Sequence, residues 1–186
     1  MEQNIMTRNR KNGRLAMMLI SSVPIAIVLA DQYAKAWIEG TIPINTIGFR
    51  YMNDFLWIVH TRNLGIAFSI GDSVSRLLRT ALFIVLPACF MVGASVYCFL
   101  SKKLSLIQRY AIAIIIGGGA GNLIDRIFRP EGVVDFISFS LFGIFGLDRF
   151  PTFNIADMSI TIGAAILLIS GFLMEEKEMK EKGNEP

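Results

Sequence analysis

Ionisable and amide side chains in this sequence stand where long apolar segments begin or end. Ionisable groups at membrane depth are costly to bury, and they mark candidate functional sites by default. Two carboxylates that share a proton separate into one acid and one base near neutral pH, and such a pair can activate water against an amide bond. The candidates are five ionisable residues, Asp31, Asp125, Arg126, Asp135 and Asp157, and three amides, Asn63, Asn122 and Asn154.

A simpler interpretation of the same residues is that they only mark the ends of helices. Asn154 and Asp157 taken alone fit an ordinary helix cap, and Asp125 beside Arg126 fits a structural ion pair. A membrane boundary, however, needs Lys, Trp or Tyr rather than several carboxylates. Four segments distant in sequence deliver these groups to one predicted face, and this convergence favours a functional site.

Other kinds of site find little support in the sequence. His60 is the single histidine, so a histidine-rich metal site is excluded and a Ser-His-Asp triad could be built only around it. Its apolar neighbours indicate a packed strand residue instead. Cys89 and Cys98 lie inside one apolar run, without the spacing of a metal site or a disulfide scaffold. Phosphate-loop, HExxH and dinucleotide motifs are lacking, and we expect neither a metal nor a cofactor.

The elements that must position these residues are membrane spans. The chain has 186 residues, 53% hydrophobic and 18% charged, whereas an ordinary soluble domain has roughly 25% charged residues. Its mean hydropathy is +0.53, and four apolar segments are long enough to cross a bilayer. We predict an all-α membrane protein forming one domain, residues 1–186, with spans near 15–30, 80–100, 108–125 and 156–174 and a flexible, solvated tail at 175–186.

The distribution of basic residues predicts the orientation of the spans. Lysine and arginine favour the cytoplasmic flanks of membrane helices, and here they cluster at both ends of the chain and in the tight loop between spans two and three. Both termini are therefore expected to be cytoplasmic. A cleavable signal peptide ending near Ala30 is the alternative, but it would place the basic tail outside. The net charge of +3 does not indicate a nucleic-acid partner, because the basic residues flank apolar runs.

Two segments are expected on the outer side of the membrane. The first, residues 31–76, contains β-branched and aromatic residues broken by Pro, Gly and Asn, which is typical of short strands and turns. It is too short for an independent core, so we predict a small sheet lying on the membrane surface. The second, about residues 127–153, is rich in phenylalanine and fits an interfacial loop.

Five short motifs in this order resemble those of the lipoprotein signal peptidases (signal peptidase II), the bacterial intramembrane aspartyl proteases. They are "DQYAK" from Asp31, "TRNLGIAFS", "GNLIDR", "VVDF" and "FNIAD", which ends at Asp157. The resemblance covers nearly the whole chain and implies four membrane helices, an outer β-cradle over about residues 41 to 70 with a mobile loop, and a mechanism without metal. One departure is "GGGA" at residues 117–120, where the family usually has Gly-Gly-Ala-Leu.

The resemblance also implies an activity and a role for each candidate residue. The activity is removal of signal peptides from diacylglyceryl-modified prolipoproteins, just before the lipidated cysteine, by a monomer in the bacterial inner membrane with its active site near the outer face. Membrane lipids and the lipid-modified prolipoprotein are the implied partners. Asp135 and Asp157 match the catalytic dyad; the pocket and supporting residues are Asn63, Asn122, Arg126, Asn154, Asp31 and Asp125.

The residues alone leave two further functions open. A small transporter could use intramembrane aspartates to relay protons or bind cations, but it predicts carboxylates on both faces or a repeat between halves, and the sequence contains neither. A structural scaffold would leave the converging carboxylates unexplained. Within the peptidase hypothesis, Asp125 stands beside Arg126 and should be a poor proton shuttle. Asp135 lacks an adjacent basic residue and is the better partner for Asp157.

Overall fold

The computed structural model describes residues 2–65 and 76–183, and among these the side chains of 2–14, 76, 145, 177, 178 and 181–183 are left out. Four helices are long and apolar enough to cross a membrane, and a three-stranded antiparallel sheet lies at one end of them. The predicted fold class is therefore confirmed. The elements are α1 (Glu2–Thr41), β1 (Thr46–Tyr51), β2 (Leu56–Asn63), α2 (Arg76–Thr80), α3 (Leu86–Leu100), α4 (Leu106–Phe128), β3 (Val133–Phe139) and α5 (Ile155–Gly183).

The first membrane helix is longer than predicted. Its apolar span runs Leu15–Thr41 rather than ending near residue 30, because the polar side chains that follow are paired inside the protein. Asp31 and Lys35 are both fully buried and lie 2.7 Å apart, one helical turn from each other. A paired charge on the inner face of the helix does not interrupt its passage, so the chain stays helical through the first part of the predicted outer segment.

The second span, Leu77–Leu100, contains a wider turn near its N-terminal end. Residues Ala81–Val85 form a π-helical turn between α2 and α3, and Pro87 lies in the first turn of α3. Proline lacks the N–H that would continue the ladder, and its ring crowds the preceding turn. The chain widens there and presents Phe83 towards α4, where the Phe83 ring lies 5.6 Å from the guanidinium carbon of Arg126.

Helix α4 is the central element, because it packs against α1, α3 and α5. It begins with a capping box in which Ser105 Oγ accepts from Gln108 N (3.2 Å) and Gln108 Oε1 accepts from Ser105 N (3.0 Å). Its glycines allow close approach of the neighbouring helices. A Cβ at Gly117 would lie 2.9 Å from the Cα of Pro24 on α1, and one at Gly118 would overlap backbone of α5. The predicted glycine-mediated packing is present.

The sheet has the strand order β1-β2-β3, and its third strand was not predicted from the sequence. The expected outer sheet corresponds to β1 and β2, whereas the mobile-loop prediction falls partly on residues 66–75, outside the described residues. Strand β3 crosses beside β2 with Asp135 opposite Thr61. Val133, Val134, Asp135 and Phe136 are all buried, so this strand lacks the alternation that identifies a half-buried strand in a sequence.

The phenylalanine-rich segment, which the sequence predicts to be an interfacial loop, folds back on β3. Rings of Phe139 and Phe150 stack with centroids 4.8 Å apart, and Phe153 packs edge-on against both. Arg149 lies 3.7 Å above the Trp57 ring and donates to the carbonyl oxygens of Asp54, Phe55 and Ser138. These contacts fix the position of the segment that leads into α5.

The C-terminal tail differs from the prediction in being helical. Helix α5 continues past its apolar span, Ile155–Glu176, as far as Gly183. Lys180 Nζ pairs with Glu176 Oε1 at 2.6 Å, one turn apart on the exposed surface. Such i,i+4 pairs stabilise a helix that the preceding span has already nucleated. The composition of a charged tail does not reveal this effect.

Candidate active site

The two carboxylates that the sequence singled out as a dyad come from different kinds of element. Asp135 lies on β3 with 1% of its surface exposed, and Asp157 is the third residue of α5 and half-buried. Asn154 joins them. Its side-chain Nδ2 donates to Asp135 Oδ1 at 2.7 Å, and its Oδ1 accepts the backbone N–H of Asp157 at 2.9 Å. The structure thus brings both aspartates to one site.

Asn154 and Asp157 also form a capping box at the start of α5. The backbone N–H of Asn154 donates to Asp157 Oδ2 at 3.2 Å, which reciprocates the hydrogen bond from the Asp157 backbone. This pattern satisfies two helix-terminal N–H groups and fixes the aspartate side chain. The helix-cap interpretation of these residues is therefore correct as far as it goes. The cap uses only one carboxylate oxygen and leaves Oδ1 of Asp157 facing α4.

Asn122 on α4 forms the second bridge of the site. Its Nδ2 donates to Asp157 Oδ1 at 2.7 Å, while its Oδ1 accepts from Asn154 Nδ2 and from Lys35 Nζ, both at 3.1 Å. Asn122 is 4% exposed and Asn154 is fully buried. Two buried amides therefore connect the α5 carboxylate to the α1 and α4 helices, with every polar atom of Asn122 oriented by a partner.

Asn63, the last residue of β2, holds the other oxygen of Asp135. Its Nδ2 donates to Asp135 Oδ2 at 3.0 Å, and its own Oδ1 accepts the backbone N–H of Gly65 at 2.8 Å. On the same strand, Thr61 Oγ1 donates to the backbone carbonyl of Asp135 at 3.0 Å. Both carboxylate oxygens of Asp135 thus accept amide donors, one from the sheet and one from the start of α5.

Burial raises the pKa of Asp135 to about 6, well above its usual value. The nearby Asp157 raises this pKa further by charge repulsion, whereas the hydrogen bonds from Asn63 and Asn154 and the positive charge of Lys35 lower it. The effect of desolvation on this pKa is larger than that of the hydrogen bonds, as expected for a carboxyl removed from water. Near neutral pH, Asp135 is therefore a carboxyl that can hold and release a proton.

Asp31 and Asp125 belong to a separate group of charges behind the dyad, which we call the charge cluster. Lys35 Nζ lies 2.7 Å from Asp31 Oδ2 and 2.8 Å from Asp125 Oδ2. Asp125 also accepts from Arg129 and, at 2.9 Å, from Gln32. The salt bridges of Asp125 are thus with Lys35 and Arg129, whereas the sequence had paired it with its neighbour Arg126. One turn of helix explains the difference, because adjacent residues point to different faces and i,i+4 residues share one.

Arg126 points away from the charge cluster and into a cavity. The cavity has a volume of about 160 Å³ and lies between β2, α2 and the C-terminal end of α4. Asn63 borders the same cavity, so the donor to Asp135 and the guanidinium of Arg126 face one space. Other residues around it are Leu64, Arg79, Phe83, Ile84, Arg129 and Pro130.

A second, more apolar cavity borders the dyad on the opposite side. It has a volume of about 330 Å³ and runs along the first turns of α5 from Asp157 through Met158 and Thr161 to Ile162. Phe139, Phe150 and Phe153 form its other wall. Asp157 thus borders an apolar cavity, and Asn63, which donates to Asp135, borders the cationic one, an arrangement suited to a ligand with both polar and apolar parts.

Sequence reasoning missed the polar residues through which α1 contacts α4 and the residue that follows it. Gln32, Lys35 and Glu39 were counted as part of an outer segment, yet all three contact α4 or the residue after it. Arg129, which contacts Glu39 at 3.1 Å and also Asp125, was likewise treated as a loop cation. The i,i+4 spacing of Asp31 and Lys35 was the available signal, since it places an acid and a base on one helix face. His60 is buried on β2 as predicted, with Nδ1 2.7 Å from the carbonyl oxygen of Ile42.

Four apolar helices with buried aspartates and amides gathered at one end define a multi-pass membrane protein with an enzyme-like polar centre. The family model described as signal peptidase (SPase) II matches residues 23–173, a range that includes every residue of that centre. The chain belongs to the signal peptidase II family, and it is thus a protease.

Relatives and solved structures agree with this family. The chain is 44% identical to a lipoprotein signal peptidase of Treponema pallidum over 84% of this chain and 83% of the relative. It is 41% identical to one of Borrelia hermsii over 91% and 95% of the two chains. A bacterial membrane enzyme solved by the in meso method at 1.9 Å superposes with a TM-score of 0.68 at 33% identity, covering 80% of this chain and 88% of that one.

Proposed function

We propose that this protein is an intramembrane aspartyl endopeptidase that removes signal peptides from diacylglyceryl-modified prolipoproteins, cleaving before the lipidated cysteine. The observation that carries the proposal is the junction at Asn154, which contacts Asp135 and Asp157 at once. Family membership and the lipoprotein signal peptidases among the relatives support the substrate class. The apolar cavity beside Asp157 suits a lipid-bearing substrate.

The two aspartates take complementary roles in the proposed reaction. Asp135, whose pKa is about 6, is the carboxyl that holds the shared proton and gives it to the carbonyl oxygen of the scissile bond. Asp157 takes a proton from the attacking water, so that oxygen bonds to the carbonyl carbon as the base is protonated. Collapse of the tetrahedral intermediate breaks the C–N bond and returns a proton to the amine. Asn63, Asn122 and Asn154 hold both carboxylates in position.

The orientation of the protein follows from the same proposal. The dyad, the sheet and the N-terminal end of α5 lie at one end of the helices, and the short loop with Lys102 and Lys103 joins α3 to α4 at the other. Placing the basic loop in the cytoplasm puts both termini there and the dyad near the outer face of the inner membrane. A substrate anchored in the outer leaflet would then reach the dyad from the bilayer.

Cleavage of a defined substrate tests the proposed function directly. Purified protein in lipid nanodiscs is incubated with a prolipoprotein whose cysteine carries a diacylglyceryl group, and mass spectrometry follows the products. We expect release of the signal peptide and a mature chain that begins at the lipidated cysteine. The unmodified prolipoprotein is the matched control. No release from the modified substrate, or equal release from both, would overturn the proposal.

The pH dependence of cleavage should reflect the titration of Asp135. Its pKa of about 6 means that the proton is present below this pH and lost above it, so kcat/KM should fall about tenfold per pH unit above pH 6. On the acid side the rate falls when the dyad takes up a second proton. Replacing Asn63 by Ala removes a hydrogen bond that lowers the pKa of Asp135, so the basic limb should move to higher pH. A rate that stays flat from about pH 4 to pH 9 would contradict the dyad assignment.

Arg126 should contribute to substrate binding more than to the chemical step. It faces the 160 Å³ cavity and lies over Phe83 rather than in the charge cluster. We expect Arg126→Met to raise KM about tenfold, the loss typical of one charge-assisted hydrogen bond, with a smaller change in kcat. Arg50→Met, which removes an exposed arginine at the sheet, is the control. An unchanged KM in Arg126→Met would show that the cavity does not hold substrate.

A further inference from the structure

Lys35 is a buried cation that the proposed mechanism does not use. Its side chain is fully removed from solvent and is among the largest such side chains in the described part of the protein. Burying an ammonium group is costly unless every N–H finds an acceptor. The position of Lys35 therefore needs an explanation beyond the packing of α1.

The ammonium of Lys35 has three N–H donors and three acceptors around it. Two are carboxylate oxygens, Asp31 Oδ2 at 2.7 Å and Asp125 Oδ2 at 2.8 Å. The third is Oδ1 of Asn122, at 3.1 Å. A lysine has no further donors, so the two carboxylates take two protons and direct the remaining one at Asn122.

The hydrogen bond from Lys35, together with the one from Asn154 Nδ2, determines which way the Asn122 amide faces. An amide group could be turned with its oxygen or its nitrogen toward Asp157. Because Lys35 can only donate, Oδ1 of Asn122 must face the ammonium, and Nδ2 is then left to donate to Asp157 Oδ1 at 2.7 Å. The opposite orientation would place an N–H against the ammonium and an oxygen against the carboxylate.

We propose that Lys35 is a positioning residue for the dyad, holding the Asn122 amide so that it donates to Asp157. The inference rests on the proposed function, since it concerns the carboxylate that acts as the base there. Lys35 touches neither aspartate of the dyad through an ion pair; it acts through Asn122. Asp31 and Asp125 in turn hold Lys35 in place, which gives these two aspartates a function although they take no part in catalysis.

A purely structural role for Lys35 would follow from the charge cluster alone. The cluster holds three cations, Lys35, Arg62 and Arg129, against three carboxylates, Asp31, Glu39 and Asp125, with exposed Glu131 at its rim. Removing Lys35 leaves uncompensated buried charge and destabilises the fold. The test must therefore separate loss of folding from loss of orientation at Asn122.

A charge-balanced double variant makes that separation. Asp31→Asn/Lys35→Met removes one cation and one carboxylate, so the cluster stays neutral while the donor to Asn122 is lost. Glu39→Gln is the matched control: Glu39 lies one turn further along α1 and pairs with Arg62 and Arg129 in the same cluster, without contacting Asn122. Cleavage of the diacylglyceryl-modified prolipoprotein is measured for both variants and the wild type, well below each melting temperature.

We expect the double variant to lose about 10- to 100-fold in kcat, the equivalent of a hydrogen bond to a charged group, with KM within about twofold of wild type. Glu39→Gln should keep the wild-type kcat. A folded double variant with the wild-type kcat would overturn the proposal, and so would an equal loss of kcat in Glu39→Gln. Absence of cleavage by the wild-type protein would instead count against the proposed function.

The side-chain amide signal of Asn122 provides a readout that needs no substrate. In nanodiscs, NMR of the selectively labelled wild-type protein should show this NH₂ group protected from exchange with water, because Asn122 is buried, its Nδ2 donates to Asp157 and its oxygen accepts from Lys35. Asp31→Asn/Lys35→Met should change its chemical shift and speed its exchange, while Glu39→Gln leaves both unchanged. Rapid exchange of the Asn122 amide in the wild-type protein would overturn the proposal even if no variant folded.

Discussion

Replacement of Asp135 or Asp157 by asparagine is expected to lower kcat for signal-peptide release by about 10²- to 10⁴-fold, the usual contribution of a general acid or base. Asparagine is nearly isosteric with aspartate but can neither accept nor deliver the proton. The two variants should lose activity to a similar degree, because one shared proton needs both carboxylates.

The measurement is single-turnover cleavage in nanodiscs, with circular dichroism to show that the helices are intact. Asp148→Asn is the control, since Asp148 is an exposed aspartate between β3 and α5, and it should be fully active. Full activity of Asp135→Asn or Asp157→Asn would rule out the assignment of that residue to the dyad. Loss of helicity in either variant would mean that the effect on kcat must be measured at lower temperature.

Introducing a side chain at Gly118 should have the largest effect on stability. A Cβ at this position would overlap the carbonyl oxygen of Ala156 and lie 2.9 Å from Cγ1 of Ile160. Because the backbone of α5 cannot move away without disturbing the capping box at Asp157, we expect Gly118→Val to cost about 3 kcal/mol in the free energy of unfolding. Activity should fall together with stability, as α5 carries half of the dyad.

Gly93→Val on α3 is the matched control for this substitution. It places the same β-branched residue in a membrane helix, and a Cβ at Gly93 would have nothing within 4 Å. Reversible unfolding in mixed micelles gives the free energy for both variants. Equal destabilisation of the two would show that the cost comes from valine in the helix rather than from the contact between α4 and α5.

The sequence was sufficient to predict the four spans, because membrane helices depend on local patterns. Apolar runs of membrane length identify helices without knowledge of their neighbours. Asp135, Asp157 and the amides belong to short motifs whose order along the chain carries the family resemblance. The glycines of α4 likewise predicted close packing of this helix against its neighbours.

What the sequence did not reveal depends on contacts between distant segments. From the sequence alone, Lys35 is interpreted as an outer basic residue. In the structure it forms salt bridges with Asp31 on its own helix and with Asp125 on α4. The sequence does not reveal strand β3, because contacts with α1, α4 and β2 bury four consecutive residues and erase the alternation of a half-buried strand. Asp125 was paired with Arg126 because adjacency in sequence was used where helix geometry decides.

The family assignment still leaves the finer chemistry to experiment, and the structure indicates where to look. The capping box formed by Asn154 and Asp157 both starts α5 and orients the Asp157 carboxylate. Variants at Asn154 therefore change stability and catalysis together. Asn63 and Asn122 are better probes of catalysis alone, because neither takes part in a helix cap.

One half of the dyad is attached to the sheet and the other to the helix bundle. A small cluster joins the two layers, in which Ile38 of α1 and Ile42, just after α1, pack against Val134 and Phe136 of β3. Local opening at such a junction needs less free energy than unfolding of the bundle. Warming or a harsh detergent should therefore abolish proteolytic activity while the helices remain intact. The quality of a preparation is thus better judged by its turnover number than by its helical content.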